Sequence, residues 1–238
     1  MKFRPVLVSL SLITSISAAT GEEIDLTHTD GLTPHNAVIE VVDFKGKAAL
    51  KASISEEARK ALAEARRQRQ AGEPANRVDH LVIVAEDFQN GTIELELAGA
   101  PAPGAFGGAR GFVGVAFRVQ PDLETYDCIY FRPTNGRAQD QERRNHSVQY
   151  VSHPDYPWFK LRKDTPSRYE TYVDLQPATW TKVKIVVEGE KALLYVHGNE
   201  QPTLIVNDLK TGADASGAVA LWFEGSTIAH YANLKIAK

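Results

Sequence analysis

From His80 onward, apolar residues fall at every second position, the period of a strand with one face turned to a core. Residues 81–84 read as one strand and 88–97 as the next, with Ile93, Leu95 and Leu97 facing one way and Glu94 and Glu96 the other. Residues 112–119 set Val113, Val115, Phe117 and Val119 on one face and Gly114, Ala116 and Arg118 on the other. Residues 126–132 oppose Ile129 and Phe131 to Tyr126, Cys128, Tyr130 and Arg132. Two small residues beside an arginine leave room above the sheet, as in a shallow groove. If the two polar faces coincide, that groove carries an arginine–tyrosine surface.

The pattern continues through strands at 169–175, 181–188, 192–197, 203–206, 217–224 and 228–236, the second and third joined as a hairpin by Glu188-Gly189-Glu190-Lys191. Upstream, residues 38–50 form two short strands around the turn Lys45-Gly46-Lys47. One helix is predicted near residues 55–70. Ser53 with Glu56 fits a capping box, Ala58, Ala61, Leu62 and Ala65 give a narrow apolar stripe, and Gly72 and Pro74 stop it. Many strands, turn punctuation and no crossover helices predict an all-β fold. The expected form is an antiparallel two-sheet β-sandwich with one inserted surface helix.

Composition narrows the function classes. Lys2 and Arg4, a short apolar run over 6–16, and Ser17-Ala18-Ala19 have the order of a secretory signal, so residues 1–19 are read as a signal peptide and 20–238 as one domain. The apolar run is too short to span a bilayer, and a secreted or periplasmic location is expected. Removing residues 1–19 takes the formal charge from −3 to −5, because that segment holds two bases and no acid. A mildly acidic chain is a poor partner for nucleic acid. Cys128 is the only cysteine, so neither an internal disulfide nor a four-cysteine zinc site can form. Glycine-rich residues 101–111 lack the strand–loop–helix context of a phosphate-binding turn.

Candidate chemistry concentrates in residues 143–162, which hold two histidines, two tyrosines, a tryptophan, a glutamine and four basic residues. His146 and His153 titrate near neutrality and are acid–base candidates, with Tyr150, and with Glu170 on the next strand as an acid partner. In one extended strand His146 and Tyr150 would share a face, and Gln149 and His153 the other. Arg132 and Arg162 offer planar donor forks to carboxylates or hydroxyls, and Trp158 a ring on which the apolar face of a sugar stacks. Arg118, Tyr130, Arg132, Gln149, Trp158 and Arg162 are therefore the expected ligand contacts. No set of metal ligands stands out, and the cofactor is unknown.

Three stretches resemble the concanavalin A-like lectin/glucanase superfamily of jelly rolls, nearest its laminin-G-like and DUF1080 (3-keto-disaccharide hydrolase-like) secreted bacterial branches. These are Phe88-x-x-Gly91-x-Ile93-Glu94, the segment from Trp180 through the hairpin to Val196, and Gly217 to Trp222 followed by Asn233 to Ile236. The resemblance implies a jelly roll and a sugar-derived ligand bound across the concave sheet. As alternatives it implies a glycoside hydrolase, a 3-keto-glycoside hydrolase or a polysaccharide lyase on the same groove, or a non-catalytic module that meets a protein partner. The glutamine–histidine–tyrosine grouping is similar to that of jelly-roll lyases, where such donors neutralise a uronate. The glucanase signature E-x-D-x-x-E is absent, and Asp122, Asp208 and Asp214 carry no lectin calcium pattern.

Overall fold

A computed structural model describes residues 21–238; the signal segment read in residues 1–19 lies outside the described residues. Before the helix come β1 (Glu22–Ile24), β2 (Thr33–His35), β3 (Ala37–Asp43) and β4 (Ala48–Ile54). After α1 (Glu56–Gln70) follow β5 (His80–Phe88), β6 (Gly91–Pro101), β7 (Val113–Val119) and β8 (Tyr126–Phe131). Next are α2 (Gln141–Asn145), β9 (Val148–His153), α3 (Trp158–Asp164) and β10 (Glu170–Thr171). The chain closes with β11 (Thr181–Glu188), β12 (Lys191–Val196), β13 (Leu204–Val206), β14 (Gly217–Phe223) and β15 (Thr227–Ala237).

These strands build two antiparallel sheets. One runs β13-β12-β11-β6-β15-β4-β3, with β1 added on β15; the other runs β10-β9-β8-β7-β14-β5-β2. Alternation sends Ile93, Leu95, Leu97 and Ile185 of the first sheet, and Val115, Ile129, Val148 and Leu221 of the second, into one shared core. The all-β sandwich expected from the period-two pattern is the fold. The helix falls where expected, but its cap lies two residues later than Ser53, which is still paired with Val38 inside β4. Ser55 caps it instead, accepting from the Ala58 amide at 3.2 Å. Residues 143–162 contain all of β9 and parts of two short helices.

Alternation fails once in β7, and the failure decides where Arg118 goes. Between its pairings with Ala220 and Ala218, β7 advances from Ala116 to Val119, one residue more than β14. The extra residue is a bulge, and Arg118 takes a left-handed φ of 54° within it. Val119, expected on the core side, therefore joins Ala116 and Ala220 on the outer face of the second sheet. Arg118 is fully buried instead of facing a groove. Its guanidinium donates to the carbonyls of Gln89 (3.0 and 2.9 Å), Gly189 (2.7 Å) and Gly212 (2.6 Å), tying three turns together. Thr211 links this clamp to Asp127, which accepts from the Tyr150 hydroxyl at 2.7 Å.

The outer face of the second sheet is closed as well. Gly114 stands directly between Trp222 and Tyr130 in the ladder, and a Cβ there would lie 2.7 Å from the Tyr130 Cβ. The two rings lean over it and stack at 5.0 Å, filling the room expected for a groove. Leu81, Ala116, Cys128 and Ala220 on that face are fully buried. Past α1, Arg77 reaches this face, with its guanidinium 5.5 Å from the Tyr126 ring.

Replacing Arg118 leaves the three carbonyls it gathers without donors. Arg118→Met is expected to lower the unfolding free energy by about 3 kcal/mol or more, read from urea denaturation. A loss near zero would remove Arg118 from the framework.

Candidate functional site

At the end of the second sheet, where β8 runs out and β7 begins, a hollow of about 360 Å³ opens. Its walls are the β6–β7 loop (Gly108, Arg110, Phe112), the turn after β8 (Arg132, Asn135), α2 with the residue after it (Glu142, Arg143, His146), and α3 (Trp158, Arg162). Local sequence accounts for the two helical walls. Asp140 caps α2 by accepting the Arg143 amide at 2.9 Å, which turns Arg143 and His146 toward the hollow. Pro157 leads into α3, and the i,i+4 spacing lays the Arg162 guanidinium 4.8 Å over the Trp158 ring.

Behind these walls sits Glu170, whose carboxylate is buried. Arg162 grips it with a fork of bonds, Nε to both oxygens at 3.1 Å and Nη2 to Oε2 at 2.7 Å. His146 Nδ1 lies 2.8 Å from the same Oε2, although the ring does not aim squarely at it. Burial pushes the His146 imidazole below its ordinary pKa, while the Glu170 charge pulls the other way. The ring is therefore neutral at neutral pH. A carboxylate beside Nδ1 favours the proton on that nitrogen and leaves Nε2, toward Glu142, as the acceptor. Arg132 is buried under the hollow, donating to the His146 carbonyl (2.9 Å) and the Tyr130 hydroxyl (2.8 Å).

The structure thus brings together Arg132, His146, Trp158 and Arg162 as lining, with Tyr130 beneath Arg132 and Glu170 behind Arg162. Gln149 is adjacent, paired with both Tyr130 and Glu170 in the ladder, but buried, its amide donating to the Tyr150 and Tyr169 carbonyls. Three expected residues lie elsewhere. Arg118 belongs to the clamp. Tyr150 points into the core and binds Asp127, because β9 alternates with Val148 and Tyr150 inward. His146 escapes that alternation by preceding the strand. His153, at the far end of β9, packs edge-on against Tyr126 at 5.3 Å. Arg110, Phe112 and Asn135 entered the hollow unforeseen. The sequence signal for the first two is an arginine bracketed by Gly108 and Gly111 next to an aromatic residue; Asn135 has no such signal.

A second hollow of about 400 Å³ lies on the outer face of the first sheet. It contains Glu94 and Glu96, but each stands opposite a lysine, Lys184 and Lys182, and Lys235 also pairs with Glu94. Its one aromatic ring, Tyr195, is covered by Lys184 at 4.5 Å. Each carboxylate there faces lysines across the ladder, whereas in the arginine-lined hollow only Arg162 meets a carboxylate.

At the level of sequence, no family model and no curated protein matches the chain. Solved structures do match by shape. The carbohydrate binding module CBM66 from Bacillus subtilis superposes with a TM-score of 0.52 at 11% identity, over 87% of this chain and 96% of that one. A protein of unknown function with a galectin-like fold, also from Bacillus subtilis, gives 0.50 at 10% identity over 91% and 94%. The carbohydrate recognition domain of Emp46p gives 0.51 at 8% over 90% and 95%. The chain therefore shares the two-sheet β-sandwich fold of these structures, one of them described as galectin-like. Identities this low carry fold and not activity. Among the described residues, no helix is long and apolar enough to cross a membrane.

His153 makes a test of its framework position. Burial first, then the nearby Arg77 charge, push its pKa down to about 3. The unfolded value is near 6.5, so the unfolded chain takes the proton first and stability is lost as pH falls from about 6.5 toward 3. The part carried by His153 is roughly 2 kcal/mol at pH 5. The drop in unfolding free energy between pH 7 and pH 5 is expected to shrink in His153→Gln; an unchanged drop would assign the acid sensitivity to other groups.

Proposed function

We propose that this protein is a secreted, single-domain carbohydrate-binding β-sandwich, with residues 1–19 removed as a signal peptide and the sugar held in the arginine-lined hollow. The observation that carries the reading is Trp158, 44% exposed at the rim of a concave site floored by arginine donors. A pyranose offers an apolar C–H face and a rim of hydroxyls, which is the pairing of surfaces this hollow presents. One side of the ring is taken by Arg162, so the sugar stacks on the other. Two of the structures that share the fold are carbohydrate-binding by name, which supports the class of ligand. The binding surface expected across the concave sheet moves in this reading to the sheet's end, since the outer face between Trp222 and Tyr130 is filled.

A second reading, an enzyme on the same hollow, is favoured by the His146–Glu170 contact. The neutral imidazole is an acid–base group beside a substrate-sized space. The DUF1080-like resemblance of the sequence points toward a keto-glycoside or glycan substrate.

The two readings separate by turnover. Saturable binding to a glycan without product is expected, with Trp158→Ala weakening it by about 1 kcal/mol or more, measured by calorimetry. Unchanged affinity in that variant would remove the stacking platform. If a glycan or keto-sugar panel yields product instead, His146→Asn and Glu170→Gln are expected to abolish it; retained rates in both would refute the acid–base assignment.

A further inference from the structure

The arginine-lined hollow holds more positive charge than its own carboxylates answer. Of its four guanidiniums, only that of Arg162 meets a carboxylate, Glu170. Arg132 is 6% exposed, yet its acceptors are a carbonyl and a phenol, helped by the Tyr130 and Phe112 ring faces at 4.9 and 5.8 Å. Arg143 reaches only the Asn135 amide oxygen, at 3.4 Å, and its Nε is buried without a partner. Arg110 bonds the carbonyls of Gly107 and Ala109. Burial lowers the Arg110 proton affinity, and repulsion from Arg143 and Arg132 lowers it further.

The acids at the rim do not cancel this. Asp140 spends an oxygen on capping α2, and Glu142 projects into solvent with its side chain 85% exposed. Unlike Arg118, whose donors are taken up by four acceptors inside the protein, Arg132 and Arg143 keep donors that an anion in the hollow would complete. We propose that the hollow binds an anionic glycan, its ring on Trp158 and its carboxylate or sulfate ester on Arg132 and Arg143. The inference rests on the sugar-binding reading and adds the charge. Planar guanidinium forks match a carboxylate in two-point fashion, which makes a uronate unit the favoured form.

The test is calorimetric binding of the full mature chain to polygalacturonate, its fully methyl-esterified form, a sulfated galactan and the desulfated galactan. Affinity for polygalacturonate is expected to fall at least tenfold on esterification and in Arg143→Gln, and to weaken with added salt. Arg67→Gln, on the exposed face of α1, is expected to change nothing. Preference for the sulfated over the desulfated galactan, with no carboxylate preference, would assign the anion to sulfate. Equal binding of charged and neutral partners would overturn the anionic inference while leaving sugar binding intact. Equal losses in Arg67→Gln and Arg143→Gln would overturn it as diffuse attraction. Failure of every glycan to bind would overturn both.

Discussion

A carboxylate withdrawn from water must find cations or give up its charge, and the candidate site is arranged around how Glu170 meets that demand. Its position on β10 faces the outer side of the second sheet, beside Gln149. Arg162 comes down from α3 to meet it, and His146 comes from the end of α2. One buried acid thereby fixes two short helices of five and seven residues, neither long enough to hold itself in water. Trp158 and Arg143 are carried into the hollow by those helices. Without the Glu170 anchor the hollow would have no fixed wall on that side.

The opposite end of the sandwich is closed by a second polar centre with a different purpose. Arg118, Thr211, Asp127 and Tyr150 form a connected network in which strong donors meet carbonyls or a carboxylate. The Lys210 amide donates to the Tyr150 hydroxyl at 2.8 Å and completes it. Satisfied networks of this kind pin the turns between strands, where the hydrophobic core has least to grip. The contrast with the hollow is informative. Arg118 meets four acceptors inside the protein, while Arg132 and Arg143 have donors to spare toward an open space.

Between these ends, the outer face of the second sheet shows how small residues can mislead. Gly114 and Ala116 look like room for a ligand, and in the strand taken alone they are. In the sheet, Tyr130 and Trp222 come from the two flanking strands and meet above Gly114. The glycine serves a ring–ring contact, and the open space lies at the sheet's end instead.

Strand periodicity, turn residues and the single amphipathic helix determined the two-sheet fold from sequence, because alternation of apolar side chains is a local property that a sheet uses directly. Residues 143–162 also stood out by their density of polar and aromatic groups, yet Val148, Tyr150 and Leu161 of that stretch are in the core and Gln149 is buried. Which of those groups meet was not legible. A single extra residue in β7 turned Arg118 inward, and the start of β9 at Val148 freed His146 from the face that Tyr150 occupies. Arg110 and Phe112 joined Arg132 across a loop whose path no local pattern encodes. Local spacing specifies what a strand shows to each side. Only the packed sheets, with their bulges and returning loops, specify which of those sides enclose a common space.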